Sequence, residues 1–232
     1  MTYFISDIHG EYDLFLILLD KIGYSNDDIV FILGDMIDKG NQSIKLVDFI
    51  SKQPNMQCIF GNHEYDFLKY YNGLMRSYNG GDISPILHKL QAYFPLGKDD
   101  LLSFETIDFI ECLPTFIETD NFIVVHSGVQ TDKNGIILPM KDQKIEYFVY
   151  NRRFKDDDFY LKPGQKTVLF GHTPCSYKNN SGKFIKTLRT GVNKPQSIMD
   201  YSKIQLDCGV YLTGLLGALC LETMEEFYVN KL

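Results

Sequence analysis

Near its start the chain reads Tyr3-Phe4-Ile5-Ser6-Asp7-Ile8-His9-Gly10, a short apolar run followed directly by a polar cluster. Beyond this segment, Leu14, Leu18 and Ile22 recur at the spacing of one helix face. The order predicts a strand, then a loop rich in polar groups, and then a helix.

The same unit occurs a second time. Ile29–Leu33 is an apolar run that ends at Gly34-Asp35, and Ile44–Ile50 has the amphipathic pattern of a helix that Pro54 brings to an end. A further strand is predicted at Gln57–Phe60. Strands that alternate with helices indicate βαβ units and a parallel sheet, in which ligands collect beyond the carboxyl ends of the strands. The loops after these three strands are therefore expected to converge.

The second half of the chain is predicted to be mostly strand. Its apolar runs are Phe122–Val125, Val168–Phe170, Ile204–Leu206, Leu216–Leu221 and Phe227–Val229. Between the halves, residues 75–100 have the weak pattern of a helical excursion over one face. Two sheets packed face to face with helices outside would bury both kinds of pattern, and no stretch between the halves has the composition of a flexible linker. We therefore expect one α/β domain over residues 1–232.

The composition limits the classes of function. The 232 residues carry a formal net charge of -7 and are 44% hydrophobic, which suits a globular domain and excludes collagen, coiled coil and disorder. The acidic balance argues against a protein that binds nucleic acid or anionic lipid through Lys and Arg. The longest apolar stretch, Gly209–Leu221, is shorter than the roughly 18 residues of a membrane span and is interpreted as buried strand. Neither nucleic acid nor a membrane is an expected partner.

Two further features concern the cellular compartment. Met1–Asp7 has neither the basic region nor the cleavage site of a signal peptide, so a cytoplasmic location is expected. The 5 cysteines are an odd number without CxxC spacing. This pattern predicts reduced thiols rather than a disulfide framework or a zinc knot.

Four of the five histidines stand at strand ends beside glycine or a carboxylate, namely His9, His63, His126 and His172. A single histidine in such a place is more often structural than ligating, but the same format in several loops indicates a shared site. Asp7 and His9 are separated by one residue, so both side chains of an extended loop can face one cation.

Asp35 ends the next predicted strand. Because neighbouring strands lie about 5 Å apart, its two carboxylate oxygens can bridge two ions. Asn62, His126 and His172 would complete the shell of the second ion. Mixed oxygen and nitrogen ligands without thiolate suit Mn, Fe, Zn or Co in a catalytic type of site. Two ions about 3.5–4 Å apart can share a bridging hydroxide and clamp a phosphate for in-line attack on phosphorus.

Five motifs, in this order, resemble those of the calcineurin-like metallophosphoesterases. They are Ser6-Asp7-Ile8-His9-Gly10, Gly34-Asp35-Met36-Ile37-Asp38-Lys39-Gly40, Gly61-Asn62-His63-Glu64, His126-Ser127-Gly128 and Gly171-His172-Thr173-Pro174. The second and third motifs are similar to the phosphoprotein phosphatase branch of serine/threonine phosphatases, above all its bacterial and phage members. The resemblance extends from Tyr3 to about Leu221. It implies a four-layer αββα sandwich of two mixed β-sheets flanked by helices, and two divalent transition metal ions, Mn²⁺ first, with Fe or Zn as alternatives.

The resemblance also assigns roles residue by residue. Asp7, His9 and Asp35 would bind one ion, and Asp35, Asn62, His126 and His172 would bind the other. His63 would protonate the leaving alkoxide, and Asp38 would orient His63. The phosphoryl group would be held by Lys39, Arg152 and Asn62.

The chain departs from the family pattern at two positions, Lys39 and Ser6, and the assignment of one arginine has an alternative. Lys39 stands where the family usually has Arg, so the charge is kept but the planar fork that binds two phosphate oxygens is lost. The second phosphate-binding arginine is assigned to Arg152, with Arg153 as the alternative one residue later. Ser6 stands where many members have Gly, and we expect little effect as long as its backbone angles are ordinary.

Two features are left without a catalytic role. Asp207, in a segment that resembles a late strand of the family, is interpreted as structural. The segment Lys178–Lys203 has six basic residues and one acidic residue. It is either a solvated loop or, as our hypothesis, a border of the site that steers phosphorylated substrates inward.

Four functions are weighed. The main interpretation is a phosphomonoesterase for phosphoserine and phosphothreonine in proteins, with phosphotyrosine as an option. The alternative is a symmetrical dinucleoside tetraphosphate hydrolase or another nucleotide phosphatase with the same site, but those relatives usually carry Ala where Asp38 stands. A non-catalytic binding module is disfavoured because all six apparent ligands are present. A nucleic-acid phosphodiesterase is disfavoured by the acidic balance. The expected partner is thus a phosphorylated protein or a small phosphoester.

Overall fold

The computed structural model describes residues 1–97 and 101–231. Within these ranges the chain forms ten strands and seven helices. The strands are β1 (Thr2–Ile5), β2 (Ile29–Ile32), β3 (Met56–Cys58), β4 (Phe116–Glu118), β5 (Phe122–Val125), β6 (Thr167–Phe170), β7 (Ile185–Leu188), β8 (Tyr201–Gln205), β9 (Leu215–Cys220) and β10 (Glu226–Asn230). The helices are α1 (Tyr12–Lys21), α2 (Ser43–Ser51), α3 (Asn62–Met75), α4 (Ser84–Tyr93), α5 (Phe104–Glu111), α6 (Ile145–Tyr150) and α7 (Val210–Thr213).

The strands form two five-stranded mixed sheets. The first has the order β10-β9-β1-β2-β3, in which β1, β2 and β3 are parallel and β9 and β10 are antiparallel to their neighbours. The second has the order β4-β5-β6-β8-β7, with β5, β6 and β8 parallel and antiparallel strands at both edges. The expected mixed sheets are therefore confirmed.

The alternation of side chains along the strands produces the layers. In β1, Tyr3 and Ile5 face the helices that cover the first sheet, whereas Phe4 faces the space between the sheets. There the Phe4 ring stacks on Phe31 at 5.3 Å and meets Phe122 of the second sheet edge to face, also at 5.3 Å. A third cluster joins the outer face of the second sheet to α6. The order is helix, sheet, sheet, helix, as the four-layer sandwich requires.

Most of the predicted elements are present with shifts of one to three residues at their ends, but three details differ. The run Gly209–Leu221 is not one strand, because Gly209 and Gly214 adopt left-handed angles (φ 72° and 73°) that enclose the single turn of α7. The edge strands β4 and β7 were not predicted, since each is short and lacks an apolar run. The helical excursion at residues 75–100 contains α4, and its last three residues, 98–100, lie outside the described residues. Of the helices described, none has both the length and the apolar character to cross a membrane.

Candidate active site

The loops that follow the strands have an unusual backbone. Six non-glycine residues in them adopt positive φ, namely Asp7, His9, Asp35, Asp38, Lys39 and His172. Side chains other than glycine adopt such angles only when the surrounding structure enforces them, and they concentrate at functional sites. Ser6 keeps an ordinary φ, so its side chain is accommodated where the family often has glycine.

Glu64 enforces the path of two of these loops. Its fully buried carboxylate accepts hydrogen bonds from the backbone N–H groups of Asp35 (2.9 Å), Met36 (2.8 Å), Ile37 (3.2 Å) and Gly61 (3.0 Å). One carboxylate therefore joins the loop after β2 to the start of α3. A side chain at Gly61 would collide with Asp35, so the close approach needs glycine.

Two groups of side chains suited to metal ions share Asp35. His9, Asp35 and His63 form one group, and Asp35, His126 and His172 form the other; within each group the ligand atoms lie within 4.8 Å of one another. The Asp35 Oδ2 atom is 3.6 Å from His9 Nε2, and its Oδ1 atom is 3.4 Å from His126 Nε2. The two oxygens of Asp35 thus face two different groups, as predicted for a bridging ligand.

The imidazole rings are oriented by their outer nitrogens. His126 Nδ1 lies 2.8 Å from the Leu33 carbonyl oxygen and His9 Nδ1 lies 3.2 Å from the Ile37 carbonyl oxygen. A nitrogen that donates to a carbonyl leaves the lone pair on Nε2, the atom that faces Asp35. The Asn62 Oδ1 atom is 3.0 Å from His126 Nε2 and 2.8 Å from His172 Nδ1. These donors fit divalent metal ions with oxygen and nitrogen ligands.

Asp7 lies beside these groups without belonging to either among the described residues. Its carboxylate accepts a hydrogen bond from the Ser6 hydroxyl, and the His172 N–H is 3.1 Å from Oδ2 and 3.2 Å from Oδ1. Burial, reinforced by the charge of Asp35, raises the pKa of Asp7 to about 6. As a ligand it would have to exchange these hydrogen bonds for a cation.

The charge states of His9, His172 and Asp35 suit a cation site. Burial lowers the pKa of His9 to about 4, with the positive charge of Lys39 acting in the same direction. Burial and the charge of His126 lower the pKa of His172 to about 3. Burial opposes ionisation of Asp35, but the charges of His126, His63 and His9 hold its pKa below the ordinary value. Neutral imidazoles and an ionised carboxylate are the forms that bind metal.

The pKa of His63 is raised, in contrast to the lowered pKa values of His9 and His172. Its Nδ1 atom lies 2.6 Å from Asp38 Oδ2, and its Nε2 atom lies 3.7 Å from Asp35 Oδ2. Burial alone would lower its pKa, but the carboxylates of Asp35 and Asp38 raise it to about 9. A protonated imidazole with one nitrogen held by a carboxylate can donate a proton from the other, which is the role the resemblance implies.

The candidate phosphate-binding residues lie at the edge of the site. Lys39 Nζ is 2.8 Å from His9 Nε2, the atom that a metal ion would use, so Lys39 and an ion compete for one lone pair. Arg152 is exposed, and its charge helps to lower the pKa of His172 after burial and His126. The side chain of Arg153 is 79% exposed and lies 3.9 Å from Asp158. The charge of Arg152 acts on His172, whereas Arg153 contacts Asp158, so Arg152 stays the preferred candidate for phosphate binding.

The basic segment Lys178–Lys203 directs most of its charge into the fold. Lys178 pairs with Asp157 at 2.7 Å, and Lys186 pairs with Glu226 at 2.5 Å. Arg189 donates to the carbonyls of Met199 and Gln165, both at 2.6 Å. These contacts engage three of the six basic side chains, and the steering of substrates by the segment stays a hypothesis.

Lys203 supports the turn that carries Arg152. Its buried Nζ atom donates to the carbonyls of Phe154 (3.0 Å), Asp156 (2.8 Å) and Phe159 (3.2 Å), and burial lowers its pKa to about 8. The three bonds fix the chain immediately after Arg152.

Sequence reasoning missed the clamp made by Glu64. The segment Gly61–Glu64 also fits an ordinary helix start, with Asn62 as the capping residue and Glu64 in the first turn. In the structure Gly61 is the capping residue, and Glu64 accepts a hydrogen bond from the N–H of Gly61, which is one half of a capping box. The acid three residues after a glycine was a signal of the bond between Glu64 and Gly61. The bonds from Glu64 to the loop after β2 join residues that are far apart in the sequence, so no local pattern indicates them.

Comparison with known proteins identifies the family. The sequence profile of the calcineurin-like phosphoesterases matches residues 2–191. A symmetrical bis(5'-nucleosyl)-tetraphosphatase of Haemophilus ducreyi is 31% identical over 184 residues, which cover 77% of this chain and 61% of that protein. The protein of the same name from Buchnera aphidicola is 31% identical over 133 residues, which cover 55% of this chain and 44% of that protein. The chain thus spans about half the length of the curated relatives it matches.

Solved structures agree with the fold. The structure of a candidate diadenosine tetraphosphatase superposes with a TM-score of 0.66 at 18% identity and covers 100% of this chain and 93% of that one. A protein serine/threonine phosphatase of Saccharomyces cerevisiae superposes with a TM-score of 0.54 at 14% identity and covers 100% of this chain and 80% of that one. At such identities the likeness concerns the fold alone. Together with the profile match over most of its length, it shows that this chain belongs to the calcineurin-like phosphoesterases.

Proposed function

We propose that this chain is a dimetal phosphohydrolase that cleaves dinucleoside tetraphosphates symmetrically into two nucleoside diphosphates. The observation that carries the proposal is the position of Asp35, whose two oxygens face two ligand groups beside the His63–Asp38 pair. The substrate is suggested by relatives named symmetrical bis(5'-nucleosyl)-tetraphosphatase. This choice replaces the protein phosphatase as the first hypothesis.

The ligands in this proposal come from both sheets. One ion would be held by Asp7, His9 and Asp35, and the other by Asp35, Asn62, His126 and His172, with Mn²⁺ as the first choice and Fe or Zn as alternatives. When bound, two such ions supply Lewis acidity and lower the pKa of a bound water, so that hydroxide is available to attack phosphorus at neutral pH.

The remaining residues act on the phosphoryl and leaving groups. Lys39 and Arg152 lie on the rim of the site, where their charges can bind phosphoryl oxygens, and the amide of Asn62 points into the same space. Asp38 fixes the Nδ1 side of His63, so that Nε2–H is left to donate a proton to the departing oxygen. The three functions of binding, activation and protonation thus fall to different side chains.

A second candidate function is favoured by one specific observation. The Asp38–His63 pair at 2.6 Å supplies a proton, which is needed most when the leaving group is the alkoxide of serine or threonine. A nucleoside diphosphate is a far weaker base and leaves without full protonation. A protein phosphatase therefore stays as the alternative, and its substrate would be a phosphorylated protein.

The two functions can be separated by one assay. The metal-stripped protein would be reloaded with Mn²⁺ and given diadenosine tetraphosphate or a phosphoserine peptide, and the products would be separated by ion-exchange chromatography. We expect a higher kcat/KM for the dinucleotide, with ADP as the main product. A higher kcat/KM for the peptide would reverse the order of the two proposals. Absence of turnover on both substrates would contradict both.

A further inference from the structure

A pocket extends from the leaving-group side of the site along α3. It has a volume of about 580 Å³ and begins at His63 and Asp38. We call it the aromatic pocket and define it by His63, Lys69, Tyr70, Gly73, Leu74 and Tyr93. Its volume lies in the range of about 300–1,000 Å³ that is usual for sites of small molecules.

The helical repeat of α3 explains the direction of the pocket. Residues three and four apart lie on one face of a helix, and the lining residues from His63 to Leu74 follow this spacing. At 1.5 Å per residue this face is roughly 16 Å long, which is enough for a nucleoside and its first phosphates. Because the stripe starts at the candidate proton donor, a ligand in the pocket would be joined to the leaving oxygen.

The wall of the pocket that α3 and α4 form together presents a flat aromatic surface. The ring of Tyr93, from the last residue of α4, stacks on Tyr70 of α3 with centroids 4.3 Å apart and planes 16° apart. Tyr93 is nevertheless 65% exposed, so it remains accessible to a ligand. An aromatic ring that is already fixed by a neighbour offers a stacking surface with little rotamer entropy left to lose.

The polar groups of the pocket suit an anionic chain that ends in a base. Asp66 is engaged by the Tyr150 hydroxyl at 2.6 Å, and Asp38 is engaged by His63. Lys69 lines the pocket and forms no ion pair with an acid among the described residues. The Tyr150 hydroxyl is neutral and leaves the charge of Asp66 in place, so Lys69 is the side chain of this pocket that the phosphates of a nucleoside diphosphate would contact.

We propose that the aromatic pocket binds the departing nucleoside diphosphate, with its base stacked on Tyr93 and its phosphates near Lys69. This proposal rests on the proposed function and assigns the residues that select a nucleotide leaving group. A serine or threonine leaving group has no planar ring of its own. The pocket therefore determines specificity, while the reaction itself uses the residues at the strand ends.

Three substitutions and one control test the pocket in the Mn²⁺-loaded protein. Tyr93→Leu removes the planar surface, and Tyr93→Phe keeps it. Gly73→Phe places a ring in the pocket, and its Cβ has open space, because no atom of the described residues lies within 4 Å of a Cβ added at Gly73. The control is Tyr177→Leu, since Tyr177 is also 65% exposed and does not line the pocket.

The readout is the ratio of kcat/KM for diadenosine tetraphosphate to kcat/KM for inorganic tetraphosphate, which has the same phosphate chain but no base. We expect Tyr93→Leu and Gly73→Phe to lower this ratio about tenfold or more, mainly through KM, in line with the loss of one stacked base. Tyr177→Leu should stay within about twofold of the unmodified protein, and Tyr93→Phe should keep a higher ratio than Tyr93→Leu because it keeps the ring. An unchanged ratio in Tyr93→Leu and Gly73→Phe would overturn the proposal, as would an equal fall in Tyr177→Leu.

Equilibrium binding of ADP separates this proposal from the proposed function. If the protein hydrolyses p-nitrophenyl phosphate but not diadenosine tetraphosphate, the proposed function is wrong. The pocket is then tested by the Kd of ADP from titration calorimetry. A rise in Kd of about tenfold in Tyr93→Leu would still support the pocket, and equal Kd values in Tyr93→Leu and the unmodified protein would overturn it.

Discussion

The strand-end loops and the aromatic pocket differ in how far their side chains are buried and fixed. At the strand ends, Asp35, His126 and Glu64 are buried. Glu64 accepts a hydrogen bond from the N–H of Asp35, His126 Nδ1 contacts the Leu33 carbonyl oxygen, and Asp35 adopts a positive φ. In the pocket, Lys69 and Tyr93 stand on regular helices and face solvent. The difference separates two requirements, since the atoms that react need fixed positions, whereas the surface that selects a substrate needs to be open.

The largest expected effect comes from a change in the loops, Asp35→Asn. Because Asp35 faces both ligand groups, the neutral amide should weaken the binding of both ions. We expect loss of bound metal, measured by atomic emission, and a fall in kcat of more than about 10⁴-fold, since the Lewis acidity and the acidic water are lost together. The control is Asp48→Asn, whose exposed carboxylate pairs only with Lys52 on the surface of α2. Full metal content in Asp35→Asn would exclude its role as a bridge.

The next effect separates protonation from metal binding. His63→Asn removes the candidate proton donor, so kcat on a phosphoserine peptide should fall by about 10²- to 10⁴-fold while the metal content is retained. On diadenosine tetraphosphate the fall should be smaller, because a nucleoside diphosphate needs less protonation. The exposed His88 on α4 provides the control, His88→Asn. Equal losses on both substrates, or loss of metal in His63→Asn, would contradict the assignment.

Asp35 and His63, the residues changed in these two variants, were both identified from the sequence. The order of motifs predicted the fold and the residues that meet at Asp35, because parallel strands bring their carboxyl ends to one edge whatever lies between them. The hydrogen bonds of Asp7 were not predicted, since they come from the Ser6 hydroxyl and the distant N–H of His172, and its role as a ligand stays a prediction.

The aromatic pocket is harder to predict for a different reason. Tyr70 and Tyr93 lie on two helices whose relative placement follows from packing around buried Phe67 and Phe94, and not from any repeat in the sequence. Exposed tyrosines carry no signal of their own until their partners are known. Surfaces that bind a substrate through exposed side chains are therefore the hardest to predict from the sequence.

A smaller effect concerns the stability of the loops. Glu64→Gln keeps the shape of the side chain but loses the charge that attracts four backbone N–H groups. We expect the free energy of unfolding, measured by urea denaturation, to fall by about 2–3 kcal/mol. Glu111→Gln, at an exposed position at the end of α5, should change it by less than about 0.5 kcal/mol. Similar values for the two variants would show that the clamp does not stabilise the loops.

The smallest expected effect is a change in the free energy of unfolding at two glycines near α3. Gly61 belongs to the strand-end loops, and Gly73 belongs to the aromatic pocket. Gly73, inside α3, has no neighbour within 4 Å of an added Cβ, so Gly73→Ala should raise the free energy of unfolding by about 0.5–1 kcal/mol through the higher helix propensity of Ala. Gly61→Ala should lower it, because its methyl group would collide with Asp35, and it should weaken metal binding as well. Urea denaturation of both variants gives the two signs. If Gly61→Ala were as stable as the unmodified protein, the loops would be able to yield, and the contrast between a fixed reaction centre and an open pocket would fail.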